Sequence, residues 1–181
     1  MRLSFKHRAG RLARRLGAYL VDCLILFAGV LATQGLIAAA GLNPLAVRAA
    51  AGLAVDSGAL NLWVFLTVTV PCLSYFAGWH ASNWGATPGK RWFGLRVTNA
   101  RGEPIAFGRA LGRAAVTLLP FEWNHLVLFY LLPKGGEPDL LAWAGIGLTW
   151  TLVLAYALSA VVDGAQRSPA DRLAGALVVE A

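Results

Sequence analysis

The chain has 181 residues, of which 57% are hydrophobic and 14% are charged. Soluble domains usually carry about 25% charged residues, so this balance excludes an ordinary soluble globule. The net charge of +7 would suit nucleic-acid binding only if basic residues clustered on a solvated surface, but they stand between apolar runs. We expect no nucleic-acid partner and, because no stretch has a linker-like composition, a single domain over residues 1–181.

Four apolar segments predict an all-α integral membrane protein, because about 20 mostly apolar residues suffice to cross the hydrocarbon core of a bilayer. The predicted transmembrane helices cover about residues 16–40, 60–79, 116–132 and 140–162. The fourth contains no charged residue. The third is short and contains Pro120, Glu122, Asn124 and His125, so a buried or re-entrant segment is the alternative there.

The first segment also resembles a secretory signal, because basic residues precede an apolar run that ends in Ala38–Ala40. Apolar regions of signal peptides have about 7–15 residues. This run is longer and contains Asp22. We therefore predict an uncleaved first span.

Basic residues set the predicted orientation, since loops rich in Lys and Arg stay in the cytoplasm. With four spans, fourteen of the sixteen basic residues fall on one side, which predicts both termini in the cytoplasm. The arginines of segment 8–15 alternate with apolar residues, which is typical of a helix attracted to anionic lipid headgroups. The two exceptions are Arg48 and Lys134.

The segment between the second and third spans predicts a small cytoplasmic β-hairpin. Gly85–Lys90 is a turn sequence, Trp92–Thr98 alternates as a strand does, and Asn99–Gly102 would turn the chain into a second strand reaching Phe107. An amphipathic helix over 107–115 would then lead into the third span.

The carboxyl end predicts one short helix and one strand. Ser168 and Pro169 suit the cap and first position of a helix. Leu177–Glu180 is a candidate strand that we expect to pair with the hairpin.

Gly85–Lys90 also resembles a phosphate-binding loop, but it has three residues between its glycines where that loop has four, and Arg91 follows where that loop has Ser or Thr. The sequence therefore excludes nucleotide binding at this turn.

Three motifs resemble the RDD family of bacterial membrane proteins, which is named for an arginine and two aspartates. They run from Arg15 to Asp22, from Gly85 to Val97 and from Asp171 to Gly175. The resemblance implies a multi-pass fold in a bacterial inner membrane, family-motif residues Arg15, Asp22 and Asp171, and a suspected role in transport. Cation/proton exchange is associated with some members.

Acidic residues inside the predicted spans are the candidate ion or proton sites, because a charge in the bilayer needs a partner, a wet cavity or protonation. Asp22 either binds a cation or proton, or acts as a buried polar lock. Glu122 and His125 share a helical face, so they either form a proton or cation site with Asp22 or hydrogen-bond between helices. For Asp171, the first turn of the terminal helix explains a carboxylate, and we predict a salt bridge to Arg15 or another cytoplasmic arginine.

No arrangement of a nucleophile with a base points to an enzyme, and we expect no cofactor and no metal site. Two function hypotheses remain. The chain transports a small cation or proton, with a homo-oligomer or a partner membrane protein completing the path. Alternatively, it is an accessory membrane protein that binds lipid or a partner protein through its basic cytoplasmic face.

Overall fold

A computed structural model of the chain describes residues 5–53, 56–131 and 138–181. Arg2, Leu132 and Lys134, which enter the predictions above, lie outside these ranges. In chain order the described elements are α1 (Phe5–Ala39), α2 (Pro44–Ala50), α3 (Ser57–Val64), α4 (Val70–Ala81), α5 (Pro88–Trp92), β1 (Leu95–Thr98), α6 (Phe107–Leu126), α7 (Leu140–Val162), α8 (Pro169–Leu173) and β2 (Leu177–Glu180). A π-helical segment, Phe65–Thr69, joins α3 to α4, and another, Val127–Leu131, extends α6.

Three helices of the described chain are long and apolar enough to cross a membrane: Gly10–Ala39, Ser57–Ala81 and Leu140–Val162. They confirm the first, second and fourth predicted apolar segments. Their large apolar side chains are mostly exposed, as in Leu24 of α1 and Leu154 of α7. Such a surface is stable against lipid and costly against water.

The third predicted span is not confirmed. Its residues form the end of α6 and the following π-helical segment, so the chain there is helical from Phe107 to Leu131. Glu122, Asn124 and His125 interrupt the apolar sequence. This helix is therefore not among the described helices that are long and apolar enough to cross a membrane. Four spans with both ends in the cytoplasm remain a prediction.

The predicted β-hairpin is wrong in one strand. β1 lies within the predicted range, but Asn99 then closes a turn, donating its backbone N–H to the Glu103 carbonyl at 2.8 Å, and α6 begins four residues later without a second strand. Pro104, which has no backbone N–H to donate, follows this turn.

β1 pairs instead with β2, in antiparallel register with Leu95 opposite Glu180 and Thr98 opposite Leu177. The predicted terminal strand is therefore confirmed, and it pairs with the one strand of the predicted hairpin that forms.

The described chain divides into two compact units. Unit 1 contains the residues up to Leu26 together with Leu73–Thr117 and Ala155–Ala181, and unit 2 contains Phe27–Cys72 and Leu118–Leu154. A buried apolar cluster in unit 1 joins the sheet to α1, α6 and the segment after α8. Its members are Ala18, Leu95, Val97, Ile105, Ala110, Ala174, Ala176 and Val178. The single domain stays a prediction.

Candidate functional site

Asp22 lies in α1 and is completely buried. Its carboxylate accepts hydrogen bonds from the Tyr75 hydroxyl at 2.8 Å, the Thr87 hydroxyl at 2.5 Å and the Gly89 backbone N–H at 2.9 Å. A buried carboxylate is stable only when such donors replace its water. Asp22 therefore ties α1 to α4 and to α5.

The turn before and within α5 is built around this carboxylate. Thr87 caps α5 by accepting from the Lys90 N–H, and Pro88 occupies the first position, which leaves the Gly89 N–H to donate to Asp22. Gly89 is required because an added Cβ would lie 2.3 Å from the Ala18 carbonyl oxygen and 2.7 Å from Oδ1 of Asp22. The Gly85–Lys90 sequence is thus a carboxylate-binding turn.

Asp171 is the second completely buried carboxylate of unit 1. Arg15 donates to it at 2.7 Å and Nε of Arg113 at 2.8 Å, and the backbone N–H of Ser168 completes a capping box at the start of α8. Burial would raise the pKa of Asp171, but the two guanidinium groups and the capping bond hold it well below the usual range. The predicted ion pair with Arg15 is confirmed.

Arg15 holds the turn that precedes α8 as well. Its guanidinium donates to the carbonyl of Gln166 in addition to Asp171. One side chain of α1 therefore positions both the turn and the first residues of the terminal helix.

Arg113 and His80 belong to the same cluster, and sequence reasoning missed both. Nη1 of Arg113 lies 3.2 Å from Nδ1 and 3.5 Å from Nε2 of His80, and because guanidinium groups only donate, the ring of His80 accepts. Arg113 is 7% exposed whereas Arg109, one turn earlier on α6, is exposed. No local signal separates these two arginines.

Lys90 approaches the first carboxylate from α5. Its Nζ lies 4.0 Å from Oδ2 of Asp22, and its side chain is 12% exposed. Burial and the nearby positive charge of Arg113 lower the pKa of Lys90 to about 7, although Asp22 acts in the opposite direction.

We expect this lysine to make stability depend on pH. Between pH 7 and the unfolded pKa of 10.5 the unfolded chain binds a proton that the folded chain does not, so the free energy of unfolding rises with pH in that window. The gain should be on the order of 3–5 kcal/mol, because each unit of pKa shift corresponds to about 1.4 kcal/mol and the side chain is mostly buried. Thermal unfolding in detergent should show it for the wild type and not for Lys90→Gln; an equal rise in both would refute it.

Glu122 and His125 form a separate cluster in unit 2. Nδ1 of His125 lies 3.2 Å from Oε1 of Glu122, and the buried Thr69 donates its hydroxyl to the same oxygen. Both members of the pair keep about a quarter of their side chains exposed. The predicted shared face is present.

The structure does not bring Asp22 together with this pair in one cluster. The hydrogen-bond partners of Asp22 all belong to unit 1, whereas those of Glu122 belong to unit 2. Within the described ranges, no group of three or more His, Cys, Asp and Glu residues is arranged to hold a metal ion.

Comparison with known proteins identifies one family. The model of the RDD family matches residues 9–175, a range that contains all the polar side chains of the unit 1 cluster. No curated protein and no solved structure is significantly similar to the chain.

Proposed function

The chain belongs to the RDD family and has several helices apolar and long enough to span a bilayer, so it is a multi-pass membrane protein, and we propose that it moves a proton or small cation across a bacterial inner membrane. Glu122, with His125 beside it, is the group that exchanges the ion. Asp22 and Asp171 hold the protein together.

The observation that carries this assignment is the difference between the carboxylates. A group that carries an ion must release it, so its oxygens cannot all be occupied by fixed donors. Asp22 accepts three hydrogen bonds, and Asp171 is held by two arginines and a capping bond. Glu122 has Thr69 and His125 as its partners within the described chain, and it remains partly exposed.

The small number of spans limits how the protein can enclose an ion path. Three or four helices are few for a complete ion path, so we propose a homo-oligomer or a complex with a partner membrane protein. Blue native electrophoresis of the detergent-extracted protein measures this assembly directly.

We expect Glu122→Gln to abolish ion flux in folded protein, because the amide cannot bind a proton or cation as the carboxylate does. Purified protein in liposomes loaded with a pH-sensitive dye would be tested with a proton gradient and with Na⁺ or K⁺. Glu103→Gln is the matched control, since Glu103 is exposed on the turn before α6. Wild-type flux in Glu122→Gln would exclude this site.

An accessory role is the second candidate, and one surface favours it. Arg91 lies over the ring of Trp84 at 3.9 Å, and the neighbouring Trp92 is 80% exposed. Exposed tryptophans beside basic residues are typical of the boundary between membrane and water. If wild-type protein shows no flux for any tested ion, binding of lipid or a partner protein through this face becomes the better account.

A further inference from the structure

A cavity of about 140 Å³ lies inside unit 1, beside the Asp171 cluster. This is several times the space of about 10–15 Å³ that one ordered water needs. Lys90, Arg113 and His80 line it on one side, and the aromatic rings of Phe76, Tyr19 and Tyr156 are also among its walls. No carboxylate is among its lining residues.

The charge around this cavity is positive. Three cations, Arg15, Arg113 and Lys90, face two carboxylates, Asp22 and Asp171, within one polar cluster. Asp171 takes both arginines at hydrogen-bond distance, whereas Asp22 is 4.0 Å from the ammonium of Lys90 and already accepts three other hydrogen bonds. The lysine therefore brings a charge that its nearest carboxylate leaves only partly compensated.

Lys90 and Arg113 bring charged N–H donors to the cavity wall. The ammonium of Lys90 has three N–H groups, whereas both ring nitrogens of His80 lie within 3.5 Å of Nη1 of Arg113. Within the described chain the ammonium pairs with Oδ2 of Asp22 at 4.0 Å, which is beyond hydrogen-bond distance. Buried donors of this kind are costly unless an acceptor occupies the adjacent space.

We infer that this cavity binds a phosphate group through the ammonium of Lys90, with Arg113 supplying further positive charge and His80 forming part of the wall. The inference goes beyond the transport proposal, which concerns unit 2. Tyr19, Phe76 and Tyr156 lie on helices that cross the membrane, so the phosphate of an anionic lipid headgroup fits this position, and free phosphate has the same chemistry.

The protonation of Lys90 agrees with an anion site. Desolvation is the largest cause that lowers its pKa; Arg113 and Arg15 lower it further and Asp22 and Asp171 raise it, so that the pKa is about 7. A bound anion would restore the charged form, since an opposite charge within a few ångströms favours it.

The test is calorimetric titration of the detergent-purified full chain with soluble dioctanoylphosphatidylglycerol and, separately, with inorganic phosphate. Lys90→Gln should weaken binding roughly tenfold, the loss expected for a charge-assisted hydrogen bond. Arg96→Gln is the matched control because it removes the same charge from an exposed position on β1 and should change affinity less than roughly twofold.

A second measurement on wild-type protein removes any dependence on how the variant folds. Acylation of lysines by acetic anhydride, read by mass spectrometry, should be slowed at Lys90 by the bound ligand, with the other two lysines as internal references.

Binding of the lipid alone would assign a headgroup site, and comparable binding of inorganic phosphate would assign a site for the free anion. Either result supports the inference if Lys90 is protected. No saturable binding of either probe, or equal affinities in Lys90→Gln and Arg96→Gln without protection of Lys90, would overturn it.

Discussion

Asp171→Ala should destabilise the folded protein by about 3–5 kcal/mol, the cost of leaving a buried ionic partner uncompensated. Arg113 would lose both of its contacts with the carboxylate, at 2.6 and 2.8 Å, and Arg15 would lose its contact at 2.7 Å. The capping box at the start of α8 would be lost as well. Thermal unfolding in detergent, followed by circular dichroism, measures the change.

Glu180→Ala provides the matched control for this carboxylate. Glu180 also pairs with an arginine, Arg14 at 3.4 Å, but about half of each side chain is exposed. Exposed pairs contribute about 0–1 kcal/mol. If the two variants unfold at the same temperature, Asp171 does not hold the cluster together.

A double-mutant cycle then separates the two arginines. Once Asp171 is removed, Arg113→Met should cost much less than it does in the wild type, because the buried guanidinium has already lost its carboxylate. The same comparison with Arg15→Met should give a smaller coupling, because Arg15 keeps the Gln166 carbonyl as a partner.

Gly89→Ala should destabilise the protein by about 3 kcal/mol or more, combining overpacking with the loss of a hydrogen bond to a charged group. The new methyl group would lie 2.3 Å from the carbonyl oxygen of Ala18, which is backbone and cannot move independently of α1. It would also displace the carboxylate of Asp22, to which the Gly89 N–H donates. The unfolding midpoint and the yield of monodisperse protein should both fall.

Gly112→Ala is the control for this substitution. A Cβ at Gly112 meets nothing within 4 Å, and the residue lies inside α6, where alanine is favoured over glycine by about 1 kcal/mol. It should therefore leave stability unchanged or raise it. If Gly89→Ala and Gly112→Ala have the same unfolding midpoint, α5 can move away from α1 without loss of stability.

The sequence determined the apolar helices because hydropathy is a local property. Runs of about 20 apolar residues predicted the helices Gly10–Ala39, Ser57–Ala81 and Leu140–Val162. Most of the predicted ends lie within three residues of the observed ones. Local capping chemistry likewise predicted α8 from Ser168 and Pro169. The third segment could not be assigned in this way because its polar residues lower its hydropathy.

The family motif identified three residues of the site, Arg15, Asp22 and Asp171, but not what each one does. Asp171 and Arg15 could be matched from the sequence because both carry a named role in the motif and opposite charge. Asp22 had two open interpretations, ion binding or a polar lock, since no local pattern shows which donors reach it. The hairpin prediction failed for the same reason: local sequence did not show that β1 pairs only with the terminal strand β2 and not with a neighbouring second strand.

Only the tertiary structure decided which polar groups meet. Thr87 is 65 residues from Asp22 in sequence, Arg113 is 58 from Asp171, and Arg15 is 156 from it. The tertiary fold also placed Asp22 in one cluster and Glu122 in another. The spans can be predicted from local sequence because each apolar segment leaves water by itself. The site follows from buried charges finding specific partners, which depends on distant segments packing together.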